Sequence, residues 1–165
     1  MAGHDVLSVI LAIAFGGVIG LERQTSGKPA GLRTNVLICF GAAVFTIVSE
    51  KMAAGQSDSI TRIAAQIVTG VGFIGAGAII RDRAGVHGLT TAATIWLVAS
   101  IGMACGAGLY LLALVSTIFA VGVLFGFKIF EKFITNRNEP PSLEHADSPL
   151  DNVLKHNKDK DEILP

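Results

Sequence analysis

Charged side chains are absent from this chain for long distances. Sixteen residues separate Asp5 from Glu22, another 16 separate Arg33 from Glu50, 18 separate Arg62 from Arg81, and 44 separate Arg83 from Lys128, with no Asp, Glu, Lys or Arg between. Charged residues make up 16% of the chain, against about a quarter in soluble domains. A soluble helix needs a solvated face. A 44-residue stretch with only His87 to interrupt it supplies none, which excludes a water-soluble helical bundle. Cysteine is scarce too. Cys39 and Cys105 both fall in apolar segments, where they read as small hydrophobes in helix packing and carry no disulfide framework. No Lys or Arg precedes the first apolar run, so Val6–Gly20 lacks the positive region of a cleaved signal peptide and reads as a first span. The four histidines, at 4, 87, 145 and 156, have no second ligand at metal spacing, and neither a phosphate loop nor a Ser-His pair appears in the apolar segments. An enzyme, a bound cofactor and a nucleic-acid partner are therefore not expected.

What the chain does have is apolar length. A helix crossing a bilayer needs about 20 mostly apolar residues at a rise of about 1.5 Å each. The longest run holds two such spans, and the shorter ones are extended by flanking Lys and Arg that snorkel to the interface. The expected fold is all-α: a polytopic membrane protein of about five transmembrane helices, over Val6–Leu21, Thr34–Ala53, Ile60–Ile80, Leu89–Met103 and Leu109–Phe133. Gly27, Pro29 and Gly31 break the chain between the first two, Asp58 or Ser59 caps the third, and 81–88 reads as a polar loop. A transmembrane domain over 1–138 is followed by a disordered acidic tail over 139–165, which carries seven acidic and three basic residues. Up to residue 138, eight of the ten Lys and Arg fall on one side of these spans, and only Lys51 and Arg62 on the other. The positive-inside rule makes the eight-residue side cytoplasmic, with the N-terminus outside and the C-terminus in the cytoplasm.

Ionisable groups near the membrane need explaining, because burying one at its centre costs about 2.5–3.5 kcal/mol on insertion scales. Asp58, Arg62 and Gln66, spaced by four, share one face of the third helix and read as an ion pair extended inward by an amide. Glu22 and Arg23 follow the first helix, and Arg33 and Asn35 open the second. Glu22 is placed to accept a bidentate bond from Arg33, as a structural clamp across the loop. Thr90, Thr91 and Thr94 open the fourth helix, where capping is the default, and Trp96 lies deep enough to pack between helices. Gly70, Gly72 and Gly75 spell a dinucleotide fingerprint, but inside an apolar helix with no strand before it. Together with Gly77, and with Gly102 and Gly106, they read as helix-packing positions.

Several ordered blocks closely resemble the MgtC/SapB family: GLERQ at 20–24, GLRTNVL at 31–37, RIAAQIVTGVGFIGAGAII at 62–80 and GLTTAATIWLVASIGMACGAG at 88–108. The resemblance implies a bacterial inner-membrane protein linked to magnesium limitation, acid stress and, in some pathogens, survival in macrophages. It implies regulation through membrane partners, inhibition of the proton-translocating ATP synthase among them. Virulence-associated members of that family carry a cytoplasmic ACT-type domain, whereas a short polar tail follows the fifth helix here, and Asn35 stands where the family usually has His. Two functions remain open at this point. One is a non-enzymatic regulator that binds a membrane-protein partner. The other is a small oligomeric channel or transporter for magnesium or protons, with Asp58 and Glu22 as candidate metal ligands.

Overall fold

A computed structural model describes residues 2–53, 57–83 and 85–135. Five helices form: α1 Ala2–Thr25, α2 Leu32–Met52, α3 Ser57–Gly77, α4 Leu89–Gly106 and α5 Tyr110–Thr135. Helix is the form expected of these apolar runs, because lipid offers the backbone no hydrogen bonds and each segment must satisfy its own. Among the described residues α1, α2 and α4 are long and apolar enough to cross a membrane, while α3 and α5 supply shorter apolar stretches, Ala64–Gly77 and Tyr110–Gly126. The chain is an all-α membrane protein. It divides into two units, Met1–Phe127 and Lys128–Pro165. The second is described as far as Thr135 and is helical over that length, and the acidic tail expected over 139–165 lies outside the described residues.

Element ends differ from the sequence reading for local reasons. α1 runs on through Glu22 and Arg23 because both find partners within its last turn. It stops at Gly27, which takes φ +65°, with Gly27 N–H donating to Gln24 O and Lys28 N–H to Arg23 O. This reciprocal pattern is a Schellman C-cap, and α4 closes the same way around Gly108. α4 outlasts its expected end at Met103 because Gly102 and Gly106 lie inside it as contact points. The expected loop at 81–88 is instead part of an antiparallel ribbon, β1 Ile80–Asp82 and β2 Gly85–His87, which pairs Ile80 with His87 and Arg81 with Val86.

α4 is the central helix, packed on α1, α2 and α3. A Cβ built at Gly102 would collide with the Cys39 carbonyl of α2, and one at Gly106 would come within 2.6 Å of Ala43 O. At these two points the α2 and α4 backbones touch. α1 packs as closely on α2: a Cβ at Gly16 would stand 2.7 Å from Cys39 Cβ, and one at Gly20 2.8 Å from Leu32 Cα. The core that results holds Ala12 and Ile19 of α1, Cys39 and Ala43 of α2, Val98, Ile101 and Cys105 of α4, and Ala113 and Ala120 of α5. Buried threonines return their hydroxyls to their own helices, each at 2.8 Å: Thr46 to Ala42 O, Thr94 to Thr90 O and Thr117 to Ala113 O. No polar group is left facing the apolar interior at those positions. Trp96 points outward, 53% exposed, instead of packing between helices as expected.

Candidate functional site

Among the described residues, buried charge sits in the last turn of α1. Glu22 and Arg23 are 4% and 3% exposed, and Arg23 Nε stands 3.0 Å from Glu22 Oε2. The charges are in contact but misaligned for a hydrogen bond. Glu22 Oε2, Arg23 Nε and Arg23 Nη1 have no hydrogen-bond partner among the described residues. The other carboxylate oxygen, Oε1, accepts from Ser26 Oγ at 2.7 Å. Glu22 is thus held by its own helix. The clamp expected from Arg33 is not made, since Arg33 is exposed at the surface and Glu22 is turned to Arg23.

Asn35 holds the other side of the junction. It is fully buried, and its Nδ2 donates to both Ala30 O and Gly31 O at 2.8 Å, tying the α1–α2 connection to the first turns of α2. Gln24 Oε1 accepts from Leu32 N–H at 3.2 Å and joins the two helices again. Asn35 Oδ1 is left without a partner.

Helix packing brings in a third element. Gly102 meets Cys39 and Gly106 meets Ala43, so α2 and α4 run parallel and begin at the same end of the unit. Thr91 and Thr94 are 3% and 4% exposed. The last turn of α1 and the first turns of α2 and α4 thus each bury polar side chains: Glu22 and Arg23, Asn35, and Thr91 and Thr94. The threonines do not cap: the N-cap of α4 is Gly88, which makes no side-chain cap bond, and Thr90 is exposed.

The second expected cluster falls on α3, partly outside the described side chains. Arg62 and Gln66 are exposed on α3, and Asp58 lies outside the residues whose side chains are described. Gln66 instead lines an apolar groove of about 500 Å³ between α2 and α3, with Leu37, Gly41 and Phe45 opposite Gly70 and Ile74. Gly75 lies 3.5 Å from Ala92 O by its built Cβ, an ordinary contact with α4, while at Gly70, Gly72 and Gly77 a Cβ would meet nothing within 4 Å. The glycine contacts that sequence reading missed are Gly16 and Gly20. Their four-residue spacing is the small-xxx-small pattern that signals close helix approach.

The donor set does not fit a magnesium ion at Glu22. Magnesium is held through carboxylate oxygens and water in octahedral geometry. Here one carboxylate oxygen is engaged by Ser26 and the other faces a guanidinium. Among the described residues no group of three or more His, Cys, Asp or Glu is placed to hold a metal.

Family comparison decides the lineage. The model of the MgtC family matches residues 9–133. The chain belongs to the MgtC family. It is 48% identical over 120 residues to Protein MgtC of Brucella abortus (strain 2308), covering 73% of this chain and 50% of that protein. It is 50% identical over 113 residues to Protein MgtC of Salmonella typhimurium (strain LT2), covering 68% of this chain and 48% of that one. It is 44% identical over 147 residues to the protein named "Putative magnesium transporter YhiD" of Escherichia coli (strain K12), covering 84% of this chain and 67% of the relative. The chain thus spans about half the length of the MgtC proteins it matches. No solved structure matches it.

Proposed function

We propose that this MgtC-family chain is a non-enzymatic regulator in the bacterial inner membrane, linked to magnesium homeostasis and acid stress, which works by binding another membrane protein side by side in the bilayer. The open face of α3 carries this reading. Phe73 is 84% exposed; Gly70 and Gly77 on its side of the helix, and Gly72 on the flank, leave the backbone bare with no neighbour within 4 Å of a built Cβ. A bare glycine surface with one projecting aromatic ring is suited to a partner helix, because helices in lipid associate through close packing and small residues. The buried Glu22–Arg23 pair supports the same reading. Its charges are matched to each other at one end of the unit.

Photo-crosslinking from position 72 or 73 in living cells tests it. Adducts with a membrane protein, the proton-translocating ATP synthase being the first to look for on the family resemblance, are the expected result. Capture of lipid alone from both positions removes the proposal. The printed name of the E. coli relative favours a second reading, cation transport. Magnesium and proton flux in proteoliposomes decides it: flux abolished by Asp58→Asn or Glu22→Gln would establish a transporter, and no flux from folded protein would leave the regulator.

A further inference from the structure

Between α3 and α4 the ribbon β1–β2 projects with no covering element among the described residues. Every strand position is exposed except Gly85, which is half-buried. Ile80 is 63% exposed and Val86 49%, with Ile79 at 39% and Leu89 at 58% beside them, and Arg81 and Arg83 are also exposed. The register sets Arg81 beside Val86 on one face and Ile80 beside His87 on the other. A lone two-stranded hairpin is marginal in water even with longer strands. These strands are three residues each, and apolar side chains stand on both faces.

The ribbon is nonetheless held in place. Ala78 N–H donates to Gly75 O and Ile79 N–H to Ala76 O, which carries the end of α3 directly into β1. At the other end Gly88 takes φ +88° and caps α4, and any Cβ there would collide with the Ala78 carbonyl. The ribbon therefore sits where α4, a membrane span, begins, which is the headgroup layer. The same end of the unit carries Arg23, Lys28, Arg33, Arg81 and Arg83 against Glu22 and Asp82. Glu22 is matched by Arg23, and Asp82 lies 3.5 Å from His87. Four exposed cations, Lys28, Arg33, Arg81 and Arg83, remain against the one exposed carboxylate of Asp82.

We infer that β1–β2 is a lipid-binding ribbon: Ile80 and Val86 enter the boundary between headgroups and acyl chains, while Arg81 and Arg83 hold the phosphates of anionic phospholipids. An acidic protein surface would match the arginines but leave the apolar side chains in water. An anionic leaflet matches both at once. The ribbon thereby makes the lipid composition around the α3–α4 junction a property this protein selects.

The test uses the full chain with Val86→Cys carrying an environment-sensitive fluorophore. Cys39 and Cys105 are fully buried and do not compete for the label. The chain is reconstituted in phosphatidylcholine vesicles containing a minor fraction of phosphatidylglycerol or phosphatidylcholine with a nitroxide at acyl position 5. Stronger quenching by the glycerol lipid is expected, falling about fivefold for each charge removed in Arg81→Gln and Arg83→Gln, and collapsing in 1 M salt with the arginines intact. Equal quenching by the two lipids overturns the inference. So does a preference that survives both substitutions, or a fluorophore reached by aqueous iodide and by neither lipid. Labelling at Ile80→Cys repeats the reading from the opposite face should the first site perturb the ribbon.

Discussion

At Arg23 a guanidinium has left water for a single carboxylate on the adjacent residue. The pair is 4% and 2% exposed by side chain, so screening by solvent is weak and the two charges depend on each other. Removing one partner of such a pair leaves a bare buried charge and costs about 3–5 kcal/mol, whereas replacing both is often close to neutral. Arg23→Ala is therefore expected to lower the thermal unfolding temperature in detergent sharply, while Glu22→Gln with Arg23→Gln recovers most of the loss. A double variant as unstable as the single one would show that the pair's packing, and not its charge balance, matters. Asn35 is the second test at this scale. Its Nδ2 satisfies the buried Ala30 carbonyl and is a second donor to Gly31 O, which also accepts from the Asn35 backbone N–H at 3.2 Å, so Asn35→Ala leaves Ala30 O bare, a loss of about 1–3 kcal/mol by the same measurement.

Among elements, the α1–α2 and α2–α4 contacts are made of backbone. A methyl added at Gly102 or Gly106 must push α2 away from α4, since the atoms it meets are the Cys39 and Ala43 carbonyls and not the ends of flexible side chains. Overpacking of this kind costs about 1–3 kcal/mol or more. Gly102→Ala and Gly106→Ala, like Gly16→Ala and Gly20→Ala, are expected to reduce the yield of monodisperse protein. Gly72→Ala, which meets nothing, is expected to leave stability unchanged and to show its effect only where a partner covers α3. Equal damage from Gly72→Ala in purified protein would contradict this division. The helices themselves were legible in the chain because lipid solvation writes them as runs without charge. What lies between helices was not. Gly70 and Gly102 look alike in sequence, and only the paired surface distinguishes open space from a carbonyl. Glu22 needs a partner and the spacing points to Arg33 across the loop, whereas only the continued last turn of α1 brings Arg23 to it. The ribbon was hidden for another reason: strands of three residues are too short to show alternation, and Arg81, Asp82 and Arg83 read as solvent.

For the whole molecule, the question is which end faces the cytoplasm. α2 and α4 run parallel, so the α1–α2 and α3–α4 connections lie at one end, with Lys28, Arg33, Arg81 and Arg83 exposed there. At the opposite end Lys51 lies 2.6 Å from Asp5, half-exposed, and partly cancels as a topological signal. Lys and Arg in short loops set orientation, so the four-cation end is expected inside. Single cysteines at Lys28→Cys and Lys51→Cys read this directly with a membrane-impermeant maleimide. The native thiols at 39 and 105 are fully buried and give no background. An exposed ion pair contributes about 0–1 kcal/mol, so losing Lys51 does not endanger the fold. The cysteine at 51 is expected to label from the periplasmic side of intact cells, and the one at 28 only once the inner membrane is breached. This outcome would place the buried Glu22–Arg23 pair and the ribbon against the cytoplasmic leaflet, within reach of ions and signals from the cell interior. The reverse pattern would put both on the outer face, and the partner contacts proposed for α3 would then be made in the opposite orientation.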